Sequence, residues 1–139
     1  MPSLQRSVAT LRIAGDDLLP IKITALLGAN PTHSQLKGQE FPSKTSSPPR
    51  VAKFGQWRLN ASDTEPEDVN QQIAELLGRL TQDIAIWQEL SQRFDLDIFC
   101  GWFLGGGNEG VTISPKSLLA LGERGIELSL DIYGPDEDA

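Results

Sequence analysis

The chain has 139 residues, of which 39% are hydrophobic and 22% are charged, with a formal net charge of −7. This composition is typical of a globular domain and excludes wholesale disorder, while the acidic balance disfavours a nucleic-acid or anionic-membrane partner. No apolar run approaches the roughly 18 residues of a membrane span, and the N-terminal residues lack a signal-peptide core. We therefore expect one cytoplasmic domain over residues 1–139.

The first part of the chain predicts a strand, a short helix and a second strand. Residues 8–13 alternate between apolar and polar side chains, as in a half-buried strand. Pro20 suits the first turn of a helix and Gly28 suits its end, which predicts a short helix between them. Alternation resumes over residues 54–61, where Trp57 lies on the apolar face.

Residues 33–54 between these elements show neither helical nor strand periodicity. The segment is rich in proline and serine, and it carries four basic side chains against one acidic one. Unstructured loops of this length are uncommon in compact domains and are usually functional or flexible. We therefore predict a long basic loop, whose cations are Lys37, Lys44, Arg50 and Lys53.

The middle of the chain predicts one long amphipathic helix. A capping box over residues 64–67 would begin it, and apolar residues then recur at three- and four-residue steps. This pattern predicts a single helix of about 27 residues, about 40 Å long. Its apolar positions are Val69, Ile73, Leu76, Leu77, Leu80, Ile84, Trp87, Leu90 and Phe94.

The last third predicts a hairpin, a helix and a final strand. Residues 96–103 alternate and are followed by a glycine-rich turn, so residues 111–113 are predicted to return as the second hairpin strand. Pro115 begins a short helix behind Ser114. Residues 126–132 alternate strictly, and the acidic tail 134–139 follows.

These elements predict an α+β fold. We expect a two-layer sandwich of about five strands in a mostly antiparallel sheet, covered by one long amphipathic helix and two short helices. The order is loosely ferredoxin-like, with an added helix and strand.

Few residues offer catalytic or metal chemistry. The single cysteine, Cys100, cannot form an internal disulfide, which fits a reducing compartment, and its apolar strand predicts a core position. The single histidine, His33, is predicted to be exposed without a catalytic partner. The glycines of GGGNEG match a dinucleotide-binding spacing, but a predicted strand follows them instead of a helix. We expect no metal and no cofactor.

The charge distribution suggests a binding function. Residues 1–58 hold eight basic and three acidic side chains, whereas residues 59–139 hold four basic and 16 acidic ones. Either folding mixes these charges, or a local basic surface lies within an acidic body. Arg50 suits bidentate contact with an anionic ligand or an acidic partner protein. The acidic body equally suits an immunity-like inhibitor of a basic partner.

Two alternatives remain open alongside a non-enzymatic binding protein. One is a small enzyme with a site around Asp16, Lys37 and Trp57, which requires these side chains to converge in one pocket. The other is a homodimer that buries the apolar second face of the strand with Phe99 and Phe103.

Several segments, taken in order along the chain, resemble a family of small bacterial proteins, the domain-of-unknown-function family 4279. They are GDDL (15–18), ALLG (25–28), FCGWF (99–103) and LDIYG (130–134). The resemblance implies a bacterial single-domain cytoplasmic protein and transfers no activity. It implies that a shared site would lie among Gly15, Asp16, Thr32, Lys37, Gly38, Trp57, Gly101 and Trp102. With the basic segment, the candidate ligand-binding residues are Asp16, Thr32, Lys37, Arg50, Lys53 and Trp57.

Overall fold

The computed structural model describes residues 4–45 and 47–135, so most of the predicted acidic tail lies outside the described residues. The strands are β1 Arg6–Gly15, β2 His33–Gln35, β3 Glu40–Phe41, β4 Arg50–Val51, β5 Gly55–Asn60, β6 Asp95–Phe103 and β7 Glu127–Tyr133. The helices are α1 Pro20–Leu27, α2 Val69–Gly78, α3 Ile84–Arg93 and α4 Pro115–Arg124.

Five strands form the main sheet in the order β2-β5-β1-β6-β7, and β3 and β4 form a separate two-stranded ribbon. The central strand β1 is antiparallel to β5 and to β6, and β5 is antiparallel to β2. Hence β1 and β2 are parallel with β5 between them, and β5 and β6 are parallel with β1 between them. This is the ferredoxin-like arrangement of two split βαβ units. The predicted α+β class is confirmed.

Helix α4 and strand β7 extend this core by one further βαβ unit, because β7 lies beside β6 and parallel to it. A parallel pair requires a crossover connection, and α4 supplies it. The predicted hairpin is therefore wrong. Residues 111–113 form no strand, and Val111 and Ile113 instead pack at the margin of the core.

The four helices and one face of the sheet enclose the core. Inward-facing strand residues are almost fully buried, while their neighbours on the other face are only partly buried. Removal of this apolar surface from water is the main force that holds the two layers together. The largest fully buried side chains include Trp57, Trp87, Leu11, Ile13, Leu59, Ile73, Leu76 and Leu90.

The prediction of one long helix is wrong, because the chain leaves the helical path between α2 and α3. The Gln82 amide donates to the carbonyls of Leu77 and Leu80, which satisfies backbone oxygens at the end of α2. The Asp83 carboxylate then accepts from the backbone N–H of Ala85 and caps α3. Both helices pack on the same core, so the apolar spacing continues across the break.

The start of α2 also differs from the predicted capping box. Thr64 accepts from the backbone N–H of Asp68, and Asp68 itself caps the helix by accepting from Gln71. Residues 64–67 therefore form a turn before the helix. Threonine and aspartate can both cap a helix, and the capping-box pattern led the prediction to Thr64, which comes before Asp68 in the chain.

Candidate functional site

The basic segment 33–54 forms short strands instead of the predicted unbroken loop. Its first strand, β2, pairs with β5 so that His33 lies opposite Arg58 and Gln35 lies opposite Gln56. Trp57, between the two β5 residues, is buried on the helix-facing side. Successive side chains of a strand point to opposite faces, so this register places the imidazole and the Arg58 guanidinium on the open face of the sheet.

The β3–β4 ribbon borders the same end of the open face. Arg50 lies opposite Phe41 in the ribbon, and its guanidinium carbon is 4.4 Å from the centre of the Phe41 ring. Such stacking holds the guanidinium plane while leaving its N–H groups free to donate. The ribbon and the sheet enclose a small cleft of about 100 Å³. We call this the basic cleft; its lining is His33, Ser34, Gln35, Phe41, Arg50, Gln56 and Arg58.

A row of charged side chains crosses the open face from this cleft. Arg58 lies opposite Arg12, which lies opposite Asp97, which in turn lies opposite Glu127. Arg12 Nε donates to Asp97 Oδ1 over 2.8 Å, and Nη2 donates to Oδ2. These hydrogen bonds raise the pKa of Arg12 above its ordinary value. Positive charge therefore lies at the β2 edge, and negative charge lies at the β7 edge.

The two arginines of the basic cleft differ from most others in their lack of a carboxylate partner. Four arginines elsewhere form salt bridges: Arg6, Arg12, Arg79 and Arg124. Within residues 4–45 and 47–135, neither Arg50 nor Arg58 forms one. Two guanidinium groups that line one cleft without a carboxylate partner create a local positive potential that an anion would neutralise.

The structure brings together two of the three residues of the predicted enzyme site. Lys37 Nζ lies 3.2 Å from Asp16 Oδ2, and both side chains are more than half exposed. Trp57 is fully buried in the core, where its Nε1 donates to Thr24 Oγ1 over 3.1 Å. The exposed ion pair and the buried indole thus do not share a pocket.

The remaining candidates have different environments. Thr32 anchors the start of β2: its Oγ1 accepts from the backbone N–H of Asn60, and its own N–H donates to the Arg58 carbonyl. Lys53 is exposed just before β5. Among the sequence candidates, only Arg50 lines the basic cleft. His33 and Arg58 were not among those candidates, although the alternation over residues 54–61 had placed Arg58 on the polar face.

A larger groove of about 600 Å³ lies between α2 and α4, away from the sequence candidates. Apolar side chains such as Ile73, Leu77 and Leu119 line it. Its buried Arg124 donates to the Ala120 carbonyl and to Gln82, and pairs with Glu123. These partners occupy most of the hydrogen-bonding capacity of Arg124, although its Nε has no partner among the described residues. The exposed Lys116 also lines the groove and forms no salt bridge within the part of the chain that the structure describes.

Two features are absent from the part of the chain that the structure describes. No helix there has both the length and the apolar character needed to cross a membrane. Nor do the described His, Cys, Asp and Glu side chains form a group of three that could hold a metal ion.

The fold and the open sheet face define an α+β protein of ferredoxin-like topology that carries a basic cleft. The chain belongs to the family described as Domain of unknown function (DUF4279), whose model matches residues 5–135, and the family expected from the sequence is thereby confirmed. No curated protein and no solved structure matches this chain.

Proposed function

We propose that this protein is a non-enzymatic binding protein that holds an anionic group in the basic cleft. The group is a carboxylate or a phosphate, carried by a small ligand or by an acidic segment of a partner protein. The observation that carries the proposal is the convergence of Arg50 and Arg58 on one cleft without a carboxylate partner among the described residues.

The geometry supports recognition of a small, planar or tetrahedral anion. A guanidinium group presents paired N–H donors that match two oxygens of a carboxylate or phosphate. Stacking on Phe41 restrains Arg50, which lowers the entropy lost on binding. Gln35 and Gln56 line the cleft beside the two cations, and the Gln35 amide nitrogen donates to the Phe54 carbonyl over 3.0 Å. The volume of about 100 Å³ suits a single anionic group better than a whole nucleotide.

The proposal includes a cytoplasmic location. Its support is the chemistry of Cys100, a free and buried thiol in a chain with no second cysteine. Cytosolic proteins ordinarily keep such thiols reduced.

Isothermal titration calorimetry with inorganic phosphate and with small dicarboxylates tests the proposal. We expect saturable binding to the wild type and, for Arg58→Gln, a loss of affinity of about tenfold to a hundredfold, because a charge-assisted hydrogen bond contributes about 1.5–3 kcal/mol.

Arg93→Gln is the charge-matched control, because Arg93 is an arginine on α3 that lies outside the basic cleft and, like Arg58, forms no salt bridge within the described residues. The control should bind anions as the wild type does. Equal losses in both variants would show a general charge effect and would contradict a specific cleft.

A further inference from the structure

Strand β7 forms an edge of the main sheet and is unusually apolar for an edge strand. It pairs with β6 on one side, and no other described strand pairs with it. Leu130, Ile132 and Tyr133 are 43%, 54% and 45% exposed. Natural edge strands usually carry lysine, proline or a bulge that prevents pairing with another chain. The seven residues of β7 include neither lysine nor proline.

The backbone of β7 determines which residues are free to pair. The Tyr133 carbonyl accepts from the backbone N–H of Leu104, so the polar backbone groups of Tyr133 point toward β6. Backbone direction alternates along a strand, so Glu127, Ser129 and Asp131 point the same way. The N–H and C=O groups of Leu128, Leu130 and Ile132 therefore face the free edge.

Among the registers that pair at least five residues of each copy of β7, charge favours one. A twofold axis at Ser129 would place Glu127 opposite Asp131 of the second copy, and an axis at Asp131 would place two aspartates opposite each other. Both registers oppose like charges, which destabilises a strand pair. An axis at Leu130 instead places Glu127 opposite Tyr133 and Asp131 opposite Ser129, so no two carboxylates are opposed and the Ser129 hydroxyl can donate to Asp131 of the second copy. The Tyr133 hydroxyl donates to Asp131 Oδ2 of its own strand over 2.6 Å.

The same register matches the apolar side chains. It places Leu130 opposite its own copy and Leu128 opposite Ile132, all on the helix-facing side of the sheet. The three outward-facing residues of each strand would form about six hydrogen bonds between the chains.

We propose that β7 is a homodimer interface in which two copies pair antiparallel about Leu130 and form a continuous ten-stranded sheet. This interface differs from the one expected on the Phe99 and Phe103 face. Those rings lie under the guanidinium groups of Arg12 and Arg6, and Tyr133 stacks on Phe103. The β7 interface leaves the basic cleft, at the opposite edge of the sheet, accessible in both copies.

Sedimentation equilibrium over a wide concentration range tests the association. We expect a reversible dimer for the wild type. Leu130→Lys should weaken it at least tenfold, because two ammonium groups would meet at the axis. Leu119→Lys, at a more exposed position on the groove side of α4, makes the same charge change and should leave the dimer intact. A wild type that remains monomeric throughout overturns the proposal.

Charge changes at Ser129 test the interface without removing an apolar group. Ser129→Lys should strengthen the dimer, because its ammonium would face Asp131 of the other copy. Ser129→Asp should weaken it for the opposite reason. Equal effects of the two variants would contradict the interface.

Cysteine cross-linking tests the register itself. Ser129 and Asp131 would form a non-hydrogen-bonded pair with Cα atoms about 4.5 Å apart, within the range of a disulfide. A mixture of Ser129→Cys and Asp131→Cys chains should form a cross-linked dimer on mild oxidation, and each variant alone should not. Cross-linking of either variant alone, or none in the mixture, overturns the register about Leu130.

Discussion

Gln72 shows how a single buried polar side chain ties a helix to the central strand. It is 1% exposed, its Oε1 accepts from Ser7 Oγ over 2.7 Å, and its Nε2 donates to the carbonyls of Ser7 and Ser62. Every polar atom of the amide group thus has a partner. A buried polar group contributes to stability only in this satisfied state.

We expect Gln72→Ala to lower the free energy of unfolding by about 2–3 kcal/mol, because it leaves the Ser7 hydroxyl without its acceptor and opens a small cavity. Urea unfolding monitored by tryptophan fluorescence measures this. The control is Gln71→Ala, an exposed neighbour on the same helix, which should change stability by less than about 0.5 kcal/mol. Equal effects would show that the buried network does not contribute.

Cys100 gives stability a distinctive dependence on alkaline pH. Burial in the core raises the pKa of its thiol from 9.0 to about 12. The folded state therefore keeps the proton at pH values where the unfolded chain loses it. The contribution of Cys100 to stability is complete below pH 9 and is lost as the pH rises toward 12.

We expect the unfolding free energy of the wild type to fall more steeply between pH 9 and pH 11 than that of Cys100→Ala. Urea titrations of both proteins at several pH values measure the difference between their slopes. The comparison cancels every pH effect that the two proteins share. Parallel slopes would contradict a buried, protonated thiol.

At the residue scale, the sequence predicted which side chains are buried better than it predicted which side chains meet. Alternation placed Trp57 and Cys100 in the core, and both are fully buried. Alternation could not predict that His33 lies opposite Arg58, because that pairing depends on the register between two strands that lie more than 20 residues apart. A three-residue strand such as β2 is too short to leave a periodic signal.

At the scale of elements, two glycines of α4 have opposite roles. Gly122 lies within the helix, and an added Cβ would meet nothing within 4 Å. Gly125 ends the helix with φ of +70°, and an added Cβ would lie 2.6 Å from the Ser91 Cβ. The first position needs no glycine, whereas the second requires it.

We therefore expect Gly122→Ala to stabilise the protein by about 0.5–1 kcal/mol, since alanine favours the helix. Gly125→Ala should destabilise it by about 1–3 kcal/mol through left-handed strain and the contact with α3. Thermal unfolding of the two variants measures whether each substitution raises or lowers the stability. A stabilising Gly125→Ala would contradict the helix end described above.

Element types could be predicted from local patterns, but breaks and pairing partners could not. The predicted ends of α1 are confirmed, because the effects of Pro20 and Gly28 on the backbone are local. Gly28 ends the helix with φ of +82°. The break between α2 and α3 left no trace in the apolar spacing. The predicted pairing partner of β6 is wrong because an apolar strand can pair with either a hairpin strand or a crossover strand.

At the scale of the whole molecule, the asymmetry of charge along the chain is preserved across the open face. The basic first part supplies β1 to β5, and the acidic second part supplies β6 and β7. Because β2 and β7 occupy opposite edges, folding leaves cations at one edge and carboxylates at the other. This separation places Arg50 and Arg58 beyond the reach of the carboxylates on β7.

The proposed binding function depends on the basic cleft being an anion site. Titration with inorganic phosphate at low ionic strength, followed by ¹H–¹⁵N correlation spectra that include arginine Nε signals, tests it most directly. We expect saturable shifts confined to β2, β4 and β5 and to the side chains of Arg50 and Arg58. Shifts that never saturate and that affect Arg93 equally would contradict a specific site.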